Sequence, residues 1–555
     1  MPRSGFDRGR GPKPAKTNES GVNLRALLPG RTEALAVAAS AALFAVSFPP
    51  FELLLPAFLC LAPLAVYVAR LADNDGTGRD AARAGLWFTL LGYGCNIYWI
   101  AVALSLFTNL AFAGYAGALV WLAPFGALTV TVLFTARRHT GWPMAVLLPL
   151  TWVSFELVLN YLSDLSFPWL PLGLSLSPWP LLAQAADLSG VRGLSFWIAA
   201  TNGLVVDAWL ASRPAADRRW RTALWRGAGV LAMAAAVAAY GVWRMRTITL
   251  TPFARVTVVQ PNIPEEDKLR AQDKDKYLGI AGRITREELA RTRSDLVVWP
   301  ETAVPDFLWR NPHWIDSLQA TAGSAGVPIL FGFLDSTAPV RNGFEYYNAA
   351  ALTDEHGNLS GQPPYRKAFL VPIVERVPFV NPAWFSRFNY FGSFGRGVDP
   401  VPFSLPFGKV GVLICYESIF PQLSRGYARD GVALLVNVTN DAWFGRSTAP
   451  YQHFAHLPIR AIENRLPIAR SANTGISAYI DPLGRVHGAT PLQVDGAWTH
   501  DIQRASVTTL YSRLGDWVSW LSAAVVIAVL GLGAARSRGN QREYTPAKGS
   551  VKGSI

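Results

Sequence analysis

Long apolar stretches separated by short polar connections fill residues 32–245, and one more lies near the C terminus. A helix needs about 20 mostly apolar residues to cross a bilayer. Stretches of this kind predict eight transmembrane helices, at 33–48, 53–70, 84–105, 113–136, 144–162, 193–211, 224–243 and 516–535. The first is the shortest and ends just before Pro49 and Pro50.

Lysine and arginine alternate between the connections of these predicted helices. They collect in the N-terminal tail, at 70–83, 137–138 and 213–226, and in the C-terminal tail. The intervening connections at 49–52, 106–112 and 163–192 carry Arg192 as their single Lys or Arg residue. Because positively charged connections stay on the cytoplasmic side, the pattern predicts cytoplasmic termini and places 244–515 on the outer face.

The pattern of apolar positions changes between 250 and 505. Short runs rich in β-branched residues alternate there with amphipathic stretches, which predicts strands separated by helices. The predicted strands are 254–260, 295–299, 328–334, 346–352, 409–414, 432–438 and 476–480. The predicted helices are 274–293, 311–325, 420–430 and 451–464. Nearly continuous apolar strands between helices indicate an α/β domain whose sheet is covered on both faces.

The chain therefore divides into five predicted parts. They are a basic tail at 1–31, a bundle of about seven transmembrane helices at 32–245, an α/β domain at 250–505, a last transmembrane helix at 516–535 and a second basic tail at 536–555. Hydrophobic residues make up 51% of the 555 residues and charged residues 16%, which fits a membrane protein. Much of the formal net charge of +13 lies in the tails. Basic tails beside hydrophobic segments fit membrane topology better than nucleic-acid binding.

Three polar residues near the ends of predicted strands or apolar runs could carry chemistry. Glu301 follows a predicted strand, where partial burial suits a carboxylate to act as a base. Lys367 precedes an apolar run. Cys415 follows the strand at 409–414 and enters a polar turn, an elbow that exposes a thiol and aims the following backbone N–H groups at its target. Taken singly, each has an ordinary alternative: a helix cap or surface acid for Glu301, a solvated flank for Lys367, and a buried structural thiol for Cys415.

The spacing of cysteines and histidines gives little support for a metal site or a disulfide framework. Cys60, Cys95 and Cys415 are too few and too scattered for a disulfide framework or a thiolate metal site. His453 and His456 lie close together, but no third ligand follows at a suitable spacing, so a pair on one helix face is the better interpretation. The sequence predicts no metal and no cofactor.

Two features of the predicted bundle allow more than one interpretation. The outer loop at 167–173 is apolar, aromatic and interrupted by prolines. It is typical of an interfacial belt or a re-entrant packing segment, and it also fits a platform through which lipid enters an active site. Glu156 lies inside the fifth predicted helix, where a carboxylate is either functional or bonded to a neighbouring helix or loop.

Glu301, Lys367 and Cys415 occur in an order that resembles the nitrilase (carbon–nitrogen hydrolase) superfamily. Further matching motifs are NVTNDAWFG at 437–445, QH at 452–453, RAIENR at 460–465 and RSANTGIS at 470–477. With the predicted transmembrane helices and the Phe-Pro-Trp loop at 167–169, residues 30–530 resemble the membrane-bound branch, the apolipoprotein N-acyltransferase family. The resemblance implies a four-layer αββα sandwich for 250–505.

The resemblance also implies roles for individual residues. Cys415 is then the nucleophile and Glu301 the base. Lys367, beside the Tyr416 N–H, is implied to stabilise the oxyanion. Glu375 is implied to orient Lys367 or the leaving group. The other implied site residues are Glu417, which supports the site, and Trp443, Phe444 and Asn348, which bind substrate.

The implied reaction has two half-reactions. A cysteine thioester takes the sn-1 acyl chain from a membrane phospholipid, and the α-amino group of an N-terminal diacylglyceryl cysteine on an apolipoprotein then attacks it. The implied location is the bacterial inner membrane, with the catalytic domain on the periplasmic or exterior side. The aromatic segment at 377–392 is then a lid or lipid-facing arm; its alternative is an arm packed on the domain's own core.

Two rival functions remain open from the sequence. A membrane-anchored amidase or nitrilase would resolve the thioester with water, but such an enzyme needs neither the helices nor the aromatic segment. A transporter or lipid-binding scaffold is disfavoured because Glu301, Lys367 and Cys415 are all present and the predicted helices lack a midplane row of charges.

Overall fold

A computed structural model describes residues 28–106, 108–212, 219–268, 274–304, 307–308, 312–336, 346–378, 381, 394–398 and 400–543. Most of the basic N-terminal tail, the end of the C-terminal tail and most of the aromatic segment at 377–392 lie outside the described residues. The predictions made for those segments stay predictions.

The described residues form the following α-helices: α1 Arg31–Ala45, α2 Leu54–Ala57, α3 Ala62–Asp73, α4 Gly78–Phe88, α5 Gly94–Ile97, α6 Trp99–Ser105, α7 Ala111–Thr140, α8 Met144–Asn160, α9 Pro180–Ala183, α10 Ala186–Ala211, α11 Arg219–Thr247, α12 Glu265–Lys268, α13 Lys274–Leu289, α14 Pro312–Ala325, α15 Pro421–Arg429, α16 Ala449–Asn464, α17 Leu510–Leu514 and α18 Trp517–Glu543. A π-helical turn at Thr89–Tyr93 joins α4 to α5, and 3-10 helices lie at Ser163–Leu165, Leu172–Leu176, Cys415–Ile419 and Asp441–Phe444.

Each of the eight predicted transmembrane segments contains helix. Among the described residues, five helices are long and apolar enough to cross a membrane, or six if the pair Gly78–Ile97 and Trp99–Ser105, bent by 52°, forms one broken span. The two other segments hold α1, with 15 residues, and α8, with 17. These are shorter than the roughly 20 residues that a bilayer requires, so the count of eight spans stays a prediction.

The α/β region contains twelve strands in two six-stranded sheets. They are β1 Leu250–Gln260, β2 Leu296–Val298, β3 Ile329–Ser336, β4 Tyr346–Leu352, β5 Tyr365–Arg366, β6 Phe403–Leu405, β7 Gly408–Ile414, β8 Leu434–Thr439, β9 Ile468–Ala472, β10 Ala478–Ile480, β11 Val486–His487 and β12 Gly496–Ala505. The strand orders are β12-β1-β2-β3-β4-β5 and β11-β10-β9-β8-β7-β6. β1 to β3 and β7 to β9 pair in parallel, while the outer strands pair antiparallel.

The two sheets pack face to face, as the alternating side chains of their strands show. Leu296 and Val298 of β2 lie in one apolar cluster with Val412 of β7, which is the core between the sheets. Val297 instead packs with residues of α13 and α14, and Leu413 packs with residues of α15 and α16. Because neighbouring side chains of a strand point to opposite faces, helices cover both outer faces. The four-layer αββα sandwich is confirmed.

The helical bundle and the sandwich are joined through a shared apolar core. Tyr416 and Phe420, just after β7, lie in the same buried cluster as Trp152 of α8 and Trp169 of the following loop. Strand β7 therefore ends against the bundle rather than in open solvent.

Candidate active site

Cys415 lies in a tight turn at the carboxyl end of β7. It is the first residue of the 3-10 helix Cys415–Ile419 and has a φ of 50°. This left-handed conformation is uncommon for a residue with a Cβ atom, and it persists only where neighbouring contacts hold it. The thiol is free, and the residue is only 8% exposed. The turn expected from the sequence is present, but the expected exposure of the thiol is wrong, because the fold buries Cys415.

Four of the residues proposed from the sequence form one buried cluster. Lys367 Nζ lies 2.8 Å from Glu375 Oε1 and 3.5 Å from Glu301 Oε1. Asn348 Nδ2 donates to Glu301 Oε1 at 2.6 Å and lies 3.2 Å from Glu375 Oε1. These residues come from the end of β2, from β4 and from the segment that follows β5, so the fold brings distant parts of the chain together.

The second oxygen of Glu301 is fixed by a residue that the sequence did not single out. The Asn440 backbone N–H, just after β8, donates to Glu301 Oε2 at 2.8 Å. The Asn440 side chain donates to Glu265 Oε2 at 2.6 Å, and Lys268 Nζ lies 3.5 Å from the Glu301 carbonyl oxygen. Both carboxylate oxygens of Glu301 are therefore held in place, as a base acting at a defined atom requires.

Burial and neighbouring charges determine the protonation state of the Cys415 thiol. Burial raises the pKa of the Cys415 thiol, the charge of Glu301 raises it further, and Lys367 only partly offsets them, so the pKa lies well above its ordinary value. Burial would lower the pKa of Lys367, but the carboxylates of Glu375 and Glu301 outweigh it and raise the pKa. At neutral pH the site therefore holds a thiol beside an ammonium group, and a base must remove the thiol proton.

Glu417 connects the Cys415 turn to the segment that carries Lys367. It accepts hydrogen bonds from the Ile414 N–H at 2.7 Å, the Ala368 N–H at 2.6 Å, the Phe369 N–H at 3.2 Å and the Tyr365 hydroxyl at 2.7 Å. It is completely buried, and this burial raises its pKa to about 7. Glu417 is thus fully occupied with the backbone on either side of the Cys415 turn and Lys367, and its burial leaves it no exposed surface.

A second buried network supports the same turn. His453 Nε2 lies 3.0 Å from the Cys415 carbonyl oxygen and 2.9 Å from Ser418 Oγ, and His453 Nδ1 lies 3.0 Å from Asp441 Oδ1. Arg470 donates to Asp441 at 2.6 Å. Burial would raise the pKa of Asp441, but Arg470 and His453 hold it down at about 2. In either assignment of the ring proton, His453 ties a charged aspartate to the Cys415 turn.

The sequence missed this function of His453 because its partners are far away in the chain. From the sequence, His453 was only part of a matching motif and one of two histidines on a helix face. Neither observation indicates which residues it contacts. The fold places α16, which carries His453, directly beneath the 3-10 helix of Cys415.

The outer loop at 167–173 allowed three interpretations: an interfacial belt, a packing segment or a lipid platform. At Trp169 it is a packing segment. This residue is 1% exposed, so an interfacial belt is wrong for it. Its Nε1 donates to Gln452 at 2.8 Å, and its ring stacks on His453 and Tyr416 with centroids 5.8 and 6.3 Å apart. The Tyr416 hydroxyl donates to the Ser166 carbonyl at 2.9 Å. The loop therefore packs directly under the Cys415 turn.

Two predicted substrate-binding residues lie beside this contact. Phe444 packs against Trp99 and Trp169, with ring centroids 5.1 and 6.2 Å away, and Trp443 precedes it in the half-buried 3-10 helix. Their contact with substrate stays a prediction.

Glu156, for which two interpretations were open, is bonded to its neighbours. Its Oε1 accepts from the Leu172 N–H at 2.7 Å and from Trp152 Nε1 at 2.8 Å. This favours an anchoring function for Glu156 between α8 and the outer loop.

Within the described ranges, no group of three or more His, Cys, Asp or Glu side chains is placed to hold a metal ion.

The chain matches two known domain families. Residues 40–204 match the apolipoprotein N-acyltransferase N-terminal domain, and residues 255–511 match the carbon-nitrogen hydrolase domain. The second match covers the sandwich that holds Glu301, Lys367 and Cys415.

Curated relatives extend the match across almost the whole chain. The apolipoprotein N-acyltransferase of Geobacter metallireducens is 33% identical over 516 residues, which cover 90% of this chain and 95% of that protein. Those of Rhodopseudomonas palustris and Bradyrhizobium diazoefficiens are each 31% identical and cover 88% and 92% of this chain, and 92% and 96% of their own lengths. A solved amidase structure from Nesterenkonia sp. is 19% identical, covers 46% of this chain and 92% of its own, and has a TM-score of 0.35, too low to add to the assignment. Because these relatives match about nine-tenths of its length, this chain belongs to the apolipoprotein N-acyltransferase family.

Proposed function

We propose that this protein transfers an acyl chain from a membrane phospholipid to the α-amino group of the N-terminal diacylglyceryl cysteine of apolipoproteins. The observation that carries the proposal is the buried cluster of Glu301, Lys367 and Glu375 beside the Cys415 turn, which packs on a membrane bundle through Trp169. A nucleophile in this position meets lipid substrates without leaving the membrane surface.

In the first half-reaction, Glu301 removes the proton from the Cys415 thiol as the sulfur attacks the sn-1 ester carbonyl. A carbon–sulfur bond forms, and negative charge develops on the carbonyl oxygen, where the Lys367 ammonium stabilises it. The ester carbon–oxygen bond then breaks. Glu301 returns the proton to the departing glycerol oxygen, so the products are a thioester and a lysophospholipid.

In the second half-reaction, the free amine of the acceptor attacks the thioester carbonyl. Glu301 takes a proton from the attacking nitrogen, the carbon–sulfur bond breaks, and the sulfur regains a proton to restore the resting thiol. The product is an amide. Because the site is buried, water has poor access to the thioester, and an amine delivered at the membrane surface resolves it instead.

The distribution of basic residues supports a topology for this reaction. We place both termini in the cytoplasm and the catalytic sandwich on the outer face of the bacterial inner membrane. A reporter that is active only in the cytoplasm should be active when it is fused after the last helix. Activity of a reporter that works only in the periplasm, fused at the same place, would contradict this topology.

The function is tested with full-length enzyme in detergent, a phospholipid carrying a labelled sn-1 chain, and a synthetic peptide with an N-terminal diacylglyceryl cysteine. We expect the labelled chain to appear on the peptide in amide linkage. The same peptide with an acetylated N terminus is the control and should gain no label. Release of the label as free fatty acid, at one rate with and without the acceptor, would instead indicate a hydrolase.

A further inference from the structure

A polar crevice lies between the outer end of α8 and the segment that follows β5. One wall is formed by Asp164 and Ser166, and the opposite wall by Ala368, Phe369 and Phe420, whose last two rings stack with centroids 4.3 Å apart. Arg396 closes one side. The crevice is thus built from both halves of the molecule.

The charges of Asp164 and Arg396 in this crevice, and of Arg376 beside it, are only loosely paired. Arg396 Nη1 lies 3.5 Å from Asp164 Oδ1, and Arg376 Nε lies 3.7 Å from Asp164 Oδ2. A close charge-assisted hydrogen bond between such groups measures about 2.7–2.9 Å, and Arg366 with Asp335 reaches 2.7 Å in the same domain. Two guanidinium groups facing one carboxylate leave a net positive charge that another anion would complement.

Both arginines are connected directly to the catalytic cluster. Arg376 follows Glu375 in the chain, and Glu375 Oε1 pairs with Lys367 Nζ at 2.8 Å. Arg396 Nε donates to the carbonyl oxygen of Ala368, the residue after Lys367, at 2.8 Å. An anion held by these arginines therefore lies beside the groups that act on the ester carbonyl.

The crevice also lies at the level expected for lipid headgroups. Asp164 is four residues beyond the last residue of α8. Close to this helix end, Tyr161 packs on Trp520 of α18 with ring centroids 5.7 Å apart, and both side chains are exposed. Exposed aromatic residues with one polar end favour the boundary between bilayer and water.

From these contacts we propose that Arg376 and Arg396 bind the phosphodiester group of the donor phospholipid. The proposal rests on the proposed acyl transfer, for which it assigns the headgroup site. In a phospholipid the phosphodiester and the sn-1 ester sit on one three-carbon glycerol unit. A phosphodiester in the crevice therefore places the ester carbonyl toward Lys367 and Cys415. Its single negative charge balances the net positive charge of the two arginines and Asp164.

The test uses full-length enzyme in detergent with a diacyl phosphatidylglycerol as donor. Acyl-enzyme formation is followed by intact mass for wild type, Arg396→Gln, the double variant Arg376→Gln/Arg396→Gln, and the control Arg255→Gln. Arg255 of β1 is 44% exposed and pairs with Asp501 of the neighbouring strand β12. It therefore matches Arg396 in exposure but does not line the crevice. We expect the apparent KM for phospholipid to rise about tenfold in Arg396→Gln, the loss typical of one charge-assisted contact, and further in the double variant.

The second half-reaction distinguishes a loss of phospholipid binding from a general disruption of the active site. Each variant is loaded by long incubation and then mixed with the diacylglyceryl peptide, and the rate of thioester consumption should equal that of wild type. An unchanged KM in the double variant overturns the crevice assignment. Equal losses in both half-reactions overturn it too, because they indicate displacement of Lys367. If wild type forms no acyl-enzyme at all, the proposed acyl transfer itself fails.

Discussion

A buried thiol is a poor nucleophile, and the neighbours of Cys415 determine how it becomes a good one. Burial and the Glu301 charge favour the thiol, while Lys367 favours the thiolate. In the proposed mechanism, the carboxylate that favours the protonated sulfur also takes its proton during attack. We therefore expect the free thiol to react slowly, and to lose its proton as it attacks a substrate carbonyl.

The substitution Glu301→Gln separates these two effects of the carboxylate. We expect acyl transfer to fall by about 10²–10⁴-fold, the usual contribution of a general base. Alkylation of Cys415 by iodoacetamide near neutral pH should not slow down, since removing the Glu301 charge lowers the pKa of the thiol and raises the thiolate fraction.

The control for this experiment is Glu287→Gln, which alters an exposed glutamate that pairs with Arg283. Both rates should stay at the wild-type level in that variant. A parallel loss of acyl transfer and alkylation in Glu301→Gln would mean that the site has collapsed, and it would contradict the assignment of Glu301 as the base.

At the scale of single residues, the sequence identified side chains that follow apolar strands and could not identify their supports. Glu301 and Cys415 each stand directly after a predicted strand, which is a local signal. Asn440 acts through a contact with a segment 139 residues away in the chain, and Glu417, which only the family resemblance implied, through one with a segment 49 residues away. Such partners become neighbours only through the fold, so no local pattern indicates them.

At the scale of elements, the seven predicted strands are confirmed, one with the predicted bounds, β4, and six with shifted ends, and five further strands were missed. β9 is the clearest case. It contains the fully buried Arg470 and Ser471, which interrupt the apolar pattern. Arg470 is compatible with burial because Asp441 and Asn437 each accept from it at 2.6 Å. The compensation comes from β8 and its following turn, and the sequence of β9 does not contain it.

Helix α16 acts on the nucleophile turn through His453. In His453→Leu, Asp441 and the Cys415 carbonyl lose a buried partner, and each unsatisfied group costs about 1–3 kcal/mol. We expect a lower thermal midpoint and acylation slowed at least about tenfold with little change in KM. His453→Gln keeps a donor and an acceptor on the side chain and should restore part of both losses.

The partly exposed His487 of β11 provides a matched control as His487→Leu, which should leave acylation unchanged. If His453→Leu acylates Cys415 at the wild-type rate, the turn does not depend on α16, and His453 is not a positioning residue.

At the scale of the whole molecule, buried polar contacts fix the bundle and the last helix relative to each other. Arg192 of α10 pairs with Asp516, just before α18, at 3.0 Å, and both side chains are at most 3% exposed. Nearby, Glu463 of α16 accepts from the Val191 N–H at 2.7 Å. The sandwich, the bundle and the last helix therefore share one buried polar junction.

The variant Arg192→Met leaves Asp516 buried without its cation. Breaking a buried pair in this way costs about 3–5 kcal/mol, which should appear as a lower thermal midpoint in detergent. Replacing both partners, in Arg192→Met/Asp516→Leu, should recover much of the loss because no unpaired charge remains. A midpoint for Arg192→Met equal to that of wild type would show that the pair contributes nothing to the junction.

The central claim is that Cys415 carries the acyl chain, and intact-mass analysis tests it most directly. Full-length wild type and Cys415→Ala are incubated with a phospholipid and no acceptor, and then weighed. We predict that wild type gains the mass of one acyl chain, that a free amine removes it, and that Cys415→Ala gains nothing. An acyl-sized gain on Cys415→Ala, or acyl transfer to the acceptor by that variant, would contradict the account.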